Sequence, residues 1–393
     1  MSTTQKTLAG SGAPLATRHH LAYLDGLRAC AALYVVLSHA SVTHMRDQAL
    51  TGPAKLIGAL LIHGHSAVNV FIVLSGFCLM LPIVHGDGSL RGGALTFFGK
   101  RARRILPPYF CCLAVTLLLD WALIGRKTGG YWDVSVPITT QGVIAHLFLF
   151  QDLFKGTVSN ISHPLWSISV EWRIYFAFPL LLLIRQRIGV SRTALLAIVV
   201  SYLLLFMLSY LPVNVDTPGA SPQYLGLFVM GMLAADLSFS TQERLRAVRQ
   251  RVPWGVLSLF SFFLVVAVSK FALLPTPAAD SVVGLWAMTL LVAASPGQNV
   301  LLHRILSWKL LAFVGTFAYS IYLIHAPLLQ ILWQYVLLPM HLSGLKTLLL
   351  MCLVGTPIII GLSYLFFLAF ERPFLNSRRR VAVAEAAQGA SSF

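Results

Sequence analysis

Tyr23–Ala40, YLDGLRACAALYVVLSHA, reads as one apolar helix with two cations built into it, Arg28 and His39. Eleven positions separate them, which on a helix is about 16 Å, or roughly three turns. Eleven is close to a whole number of turns, so both side chains lie near one face. A charged side chain inside an apolar helix is costly, and it normally faces a protein interior or a wet cavity. This face therefore reads as the wall of an internal passage, and the rest of the chain is expected to supply the other walls.

The 393 residues are 57% hydrophobic and only 11% charged, against about 25% charged in soluble domains. That balance predicts an all-α polytopic membrane protein. The net charge of +16 sits between apolar segments and not on a soluble domain, so it marks topology first and phosphate ligands second. It does not point to nucleic acid. The cysteines (Cys30, Cys78, Cys111, Cys112, Cys352) all fall in apolar segments, which argues against a disulfide framework. No cleavable signal peptide is expected, because the first apolar segment is long and Asp25 and Arg28 interrupt its start.

Apolar runs near 23–43, 66–83, 105–124, 165–184, 193–211, 223–239, 254–273, 280–295, 310–335 and 347–370 predict about ten transmembrane helices. Pro107-Pro108 is expected to open the third, where proline suits a first turn. The run at 142–150 is too short to cross, since about 20 residues are needed, and reads as an interfacial or re-entrant helix. A polar N-terminal tail (1–20) and a basic, then polar, C-terminal tail (374–393) flank one membrane domain, 21–373. With ten spans, the basic clusters around Arg101, Arg187, Arg246, Arg304 and Arg379 all fall on the side of the N-terminus. The positive-inside rule makes that side, and both termini, cytoplasmic.

Counting from the cytoplasmic end of each span puts His39, Asn69, Glu171 and His325 at one level, roughly 20–24 Å in. Arg28 sits lower, at about 8 Å on the same count, and Arg101 and Arg104 lie at the inner mouth. Arginines there can grip phosphates bidentately without changing protonation. A histidine and a carboxylate at the outer level form the pairing used for general-base work at neutral pH, with the carboxylate fixing the tautomer. No GxSxG nucleophile elbow is present. No metal is expected, because His44, His63, His65 and His163 lack ligand spacing and read as solvated loop residues. Asp25 reads as a cap of the first helix, and Trp166 and Tyr175 as belt or core residues.

The set Arg28-x10-His39, VNVFIVLSGF (Val68–Phe77), RARRILPPY (Arg101–Tyr109), LWSISVEWRIYFAFPLLL (Leu165–Leu182), AYSIYLIHAP (Ala318–Pro327) and ERP (Glu371–Pro373) resembles the integral-membrane acyltransferase family 3. The likeness covers about 20–373. It implies ten helices, an acyl-coenzyme A donor in the cytoplasm and transfer to a carbohydrate hydroxyl outside. It also implies a catalytic histidine at His39 and an Arg-x-x-Arg motif at Arg101 and Arg104. Many members carry an acidic residue where Asn69 stands, so the carboxylate partner of His39 is expected from elsewhere, with Glu171 the candidate. Some members carry a further soluble esterase-like domain; this chain is expected to work without one or with a separate partner.

The sequence therefore reads as a membrane O-acyltransferase with acetyl-coenzyme A as the expected co-substrate and a carbohydrate or lipid-linked glycan as acceptor. His39 and Glu171 are the candidate catalytic pair. Arg28, Arg101, Arg104, Asn69 and His325 are candidate binding residues. The rival reading is a transporter or flippase for an anionic metabolite, since a row of intramembrane cations also suits an anion passage. It lacks support from repeats or paired broken helices.

Overall fold

Eight stretches among the described residues are long and apolar enough to cross a bilayer, and a bent pair, Tyr224–Phe239 with Glu243–Arg251, makes nine. The first helix, Ala22–Val42, is 21 residues long, about 31 Å and enough to cross. Its Asp25, Arg28 and His39 dilute its hydropathy. With it the count reaches the ten expected when the bent pair is taken as one span; the α-helical parts are labelled here α1 (Ala22–Val42), α2 (Gly64–Val84), α3 (Gly93–Leu119), α4 (Trp166–Ile188), α5 (Val190–Ser209), α6 (Tyr224–Phe239), α7 (Trp254–Phe271), α8 (Thr276–Ala294), α9 (Ala318–Leu332, of the span Ala318–Met340) and α10 (Thr356–Phe366, of the span Gly344–Phe374). The structure, a computed structural model, describes residues 21–43, 52–210 and 217–375, and no strand forms among them. The expected N-terminal tail 1–20, the expected C-terminal tail 374–393 from residue 376 on, and His44 lie outside the described residues. The chain is an all-α, multi-pass membrane protein.

Glycines set the closest helix contacts. A Cβ at Gly76 of α2 would lie 1.9 Å from the Phe228 carbonyl oxygen of α6, and one at Gly231 would lie 1.9 Å from that of Val73. Small residues let membrane helices approach backbone to backbone, where packing replaces the hydrophobic effect as the driving force. The start of α1 is seated the same way: Gly26 against Leu306, and Gly315 of the short helix Lys309–Thr316 against Asp25. These contacts seat α1 against the short helices Val300–Leu306 and Lys309–Thr316, and α2 against α6.

The third span differs from expectation. α3 begins at Gly93, and Pro107 and Pro108 lie in its interior. Proline has no N–H, so the carbonyls of Arg103 and Arg104 lose their helical donors. The helix continues through both prolines, and the Tyr319 hydroxyl of α9 donates to the adjacent Ile105 carbonyl at 3.1 Å. The basic cluster therefore rides on a helix.

The stretch between α3 and α4 folds as a cap over one end of the bundle. Its helix Thr140–Leu147 is only eight residues long, and Thr139 Oγ1 accepts from the Gly142 N–H at 3.0 Å. Asn160 ties the stretch together: Nδ2 donates to the carbonyls of Ser135 (3.3 Å) and Pro137 (2.8 Å). Tyr131 N–H donates to the Thr43 carbonyl at 3.3 Å, which docks the cap on the end of α1.

Candidate active site

Arg28, Arg101, Arg104 and Glu171 line one cavity of about 940 Å³, mouth included, together with apolar side chains of α2, α4 and α9 such as Phe71, Ile168 and Tyr319. Arg101 and Arg104 are one helical turn apart and so share a face of α3, while Arg103 between them is exposed. The Arg28 guanidinium pairs with Asp25 and donates from Nη2 to Cys78 Sγ at 2.8 Å. Asp25 thus holds an arginine one turn on and does not cap α1, whose N-cap is Leu21. Three guanidinium groups against two carboxylates, Glu171 and the Asp25 paired with Arg28, leave this cavity net positive.

Glu171 accepts from the Tyr175 hydroxyl at 2.5 Å, and that hydroxyl lies 3.0 Å from Ser75 Oγ. It belongs to the arginine cavity, and the structure does not bring it to His39. Depth counted along a helix says nothing about which way a side chain faces, and α4 turns Glu171 toward α2 and α3.

His39 has another partner. Its Nδ1 lies 2.8 Å from Nε2 of His325, which is fully buried on α9. His325 Nδ1 in turn faces the carbonyl oxygens of Tyr322 (2.8 Å) and Ile321 (3.1 Å). Carbonyls only accept, so Nδ1 of His325 carries its proton and its Nε2 is the acceptor of the neutral ring. His39 must then donate from Nδ1, which leaves the lone pair on its Nε2. His325 does for His39 what a carboxylate does in other triads: it fixes the tautomer.

The His39 ring borders a second, smaller cavity with Thr43, Tyr131, Trp132, His163, Ala326, Leu329 and Gln330. His163 packs edge-on against it, ring centroids 4.9 Å apart, and edge-on against Tyr131 at 4.7 Å. The reading of His163 as a solvated loop residue is corrected: it is 8% exposed and sits inside the candidate site. Trp132 is equally hidden at 2%. Sequence reasoning missed both because the cap's fold depends on distant hydrogen bonds. The available signal is a His-Pro pair, His163-Pro164, ahead of the LWSISVEW run.

Tyr322 stands between the larger cavity and His325. It lines that cavity, and its hydroxyl donates to the Pro164 carbonyl (2.8 Å) and lies 2.6 Å from Ser167 Oγ. Its ring is 5.9 Å from that of His325.

Asn69 is placed elsewhere. Its Nδ2 donates to Oδ1 of the buried Asp280 at 2.7 Å, alongside His65 Nε2 at 2.9 Å, and Gln223 donates to Oδ2 at 3.0 Å. Of the four side chains expected at one level, the structure joins only His39 and His325. Among the described residues no group of three His, Cys, Asp or Glu side chains is arranged to hold a metal ion, and the five cysteines form no disulfide.

A family profile described as an acyltransferase domain matches residues 21–368. The chain is 26% identical to YrhL of Bacillus subtilis (strain 168), named as a proposed peptidoglycan O-acetyltransferase, over 80% of this chain and 49% of that protein. It is 24% identical to the peptidoglycan O-acetyltransferase OatA of Listeria monocytogenes serovar 1/2a (strain ATCC BAA-679 / EGD-e), over 80% of this chain and 50% of that one. The acyltransferase MdmB of Streptomyces mycarofaciens is 29% identical over 43% of this chain and 41% of its own length. The chain spans about half the length of the curated relatives it matches, or less. No solved structure matches it. The profile covers nearly the whole membrane domain, and the chain belongs to the acyltransferase 3 family of integral-membrane proteins.

Proposed function

We propose that the chain is a membrane O-acyltransferase that moves an acyl group, acetyl by preference, from cytoplasmic acyl-coenzyme A to a hydroxyl of an extracytoplasmic glycan. The bacterial cytoplasmic membrane is the proposed location. The observation that carries this reading is the chain of hydrogen bonds from His39 through His325 to two backbone carbonyls. It leaves a histidine with an unprotonated Nε2 at the edge of a cavity, which is the equipment of a general base.

The donor side follows from charge. The cavity lined by Arg28, Arg101 and Arg104 suits the phosphates of coenzyme A, and its apolar walls suit the pantetheine arm. That arm, about 15–20 Å long from standard bond lengths, would pass Tyr322 to bring the thioester to His39. The acceptor class comes from the relatives, two of which are named for peptidoglycan O-acetylation. An O-acyl product on a surface glycan also accounts for a base at the end of α1 opposite the basic mouth.

Mass analysis of envelope glycans from cells with and without the gene tests the proposal. The expected result is loss of an ester-linked acyl group from one glycan. Unchanged glycans together with exchange of acetyl-coenzyme A across vesicles holding the protein would instead support a transporter.

A further inference from the structure

The small cavity beside His39 is lined by two buried ring nitrogens that have no hydrogen-bond partner. Trp132 Nε1 is one. An indole nitrogen can only donate. His163 Nε2 is the other. The backbone N–H of His163 donates to Ser135 Oγ at 3.2 Å, and the same oxygen lies 3.3 Å from His163 Nδ1. Assigning the serine proton to that second contact makes Nδ1 the acceptor and puts the ring proton on Nε2.

Leaving a buried donor unpaired costs about 1–3 kcal/mol. Two of them beside a candidate base is an arrangement that proteins retain where negative charge develops during a reaction. Both donors are held rigidly. Trp132 packs on Ile124, Val136 and Ala326, and His163 is clasped by Ser135 and edge-on to two rings. Pre-aimed donors need no reorganisation when charge appears, which is what makes such sites effective. Ala326 and Leu329 give the same small cavity an apolar wall.

We infer that the N–H groups of Trp132 and His163 form the oxyanion site of the transfer, holding the thioester carbonyl oxygen beside His39. The inference rests on the proposed acyl transfer. The acceptor hydroxyl gives its proton to Nε2 of His39 as its oxygen bonds to the carbonyl carbon, and the carbonyl π pair moves onto the oxygen between the two N–H donors. Collapse re-forms the carbonyl and breaks the carbon–sulfur bond. The departing thiolate takes the proton from His39, so the products are an ester and free coenzyme A.

The test measures acetyl-coenzyme A turnover, read as released thiol, by the full chain in lipid nanodiscs supplied with extracted envelope glycans. Donor binding is measured in parallel. Trp132→Phe keeps the ring and removes the N–H. It should lower kcat by about 10²–10³, with KM and Kd for acetyl-coenzyme A within twofold of the parent. His163→Phe should do the same, and His163→Gln, which restores an N–H, should recover at least tenfold over it. The last comparison separates the assignment from a structural role and stands if Trp132→Phe does not fold. An active parent with kcat unchanged in Trp132→Phe and in His163→Phe, or a loss that falls on KM and Kd, would overturn the oxyanion site alone. A parent with no turnover on any glycan would overturn the transfer reading and this inference with it.

Discussion

His39 and His325 meet nitrogen to nitrogen, 2.8 Å apart, across α1 and α9. The order of protons along this contact is set at its far end, where His325 is pinned by the carbonyls of Ile321 and Tyr322. Removing His325 should therefore injure His39 without touching the donor cavity. His325→Ala is expected to cut kcat by at least about tenfold through loss of the tautomer, with donor affinity unchanged. Turnover and calorimetric binding on one preparation check this, and full activity in His325→Ala would remove His325 from the site.

Arg101 and Arg104 point into the cavity while Arg103 points away. If the first two grip phosphates, Arg→Lys keeps the charge and loses the planar fork. Each lost charge-assisted hydrogen bond is worth about 1.5–3 kcal/mol, so donor binding should weaken roughly ten- to a hundredfold. Arg103→Lys should bind normally. With an acetyl-pantetheine donor, which lacks the nucleotide phosphates, the difference should shrink. Equal affinities in all three variants would return the cluster to a topology signal.

The glycine contact between α2 and α6 makes a prediction about stability. Gly231→Val must push the α2 and α6 backbones apart, since even a Cβ would sit 1.9 Å from the Val73 carbonyl oxygen. A loss of about 1–3 kcal/mol or more is expected. Gly99→Ala on α3 has nothing within 4 Å and should be neutral or up to about 1 kcal/mol stabilising. Thermal unfolding in detergent compares the two. A Tm for Gly231→Val at or above the parent's would contradict the packing described.

Sidedness can be read from the cap. Lys127 and Lys155 are both exposed and flank its short helix Thr140–Leu147. If that helix does not cross, cysteines replacing the two lysines should both react with an impermeant thiol reagent from outside the cell. Labelling of only one would add a span and reverse the orientation of α4 to α10.

Much of this was legible before the structure. The eleven-residue spacing of Arg28 and His39 does put both on α1, each on the wall of a cavity, and the apolar runs located the membrane helices. What failed was azimuth. A side chain's depth follows from counting, but its direction follows from helix rotation, which here depends on backbone contacts at Gly26, Gly76, Gly231 and Gly315. Hence Glu171 and His39 share a level by count and yet line different cavities. Trp132 and His163 were illegible for another reason. They are buried by a loop whose shape rests on Asn160, Ser135 and Thr43, bonds between positions far apart in the chain, and a loop histidine is ordinarily solvated.

The most direct test of the account follows isotopically labelled acetyl-coenzyme A in vesicles holding the full chain, with envelope glycans supplied on the face opposite the donor. The parent protein should release coenzyme A and leave the label ester-linked to glycan. His39→Ala should bind the donor as tightly and transfer about 10²–10⁴-fold more slowly, the range expected for loss of a general base. Transfer by His39→Ala within a few-fold of the parent, or passage of intact acetyl-coenzyme A with no thiol released by either protein, would contradict it.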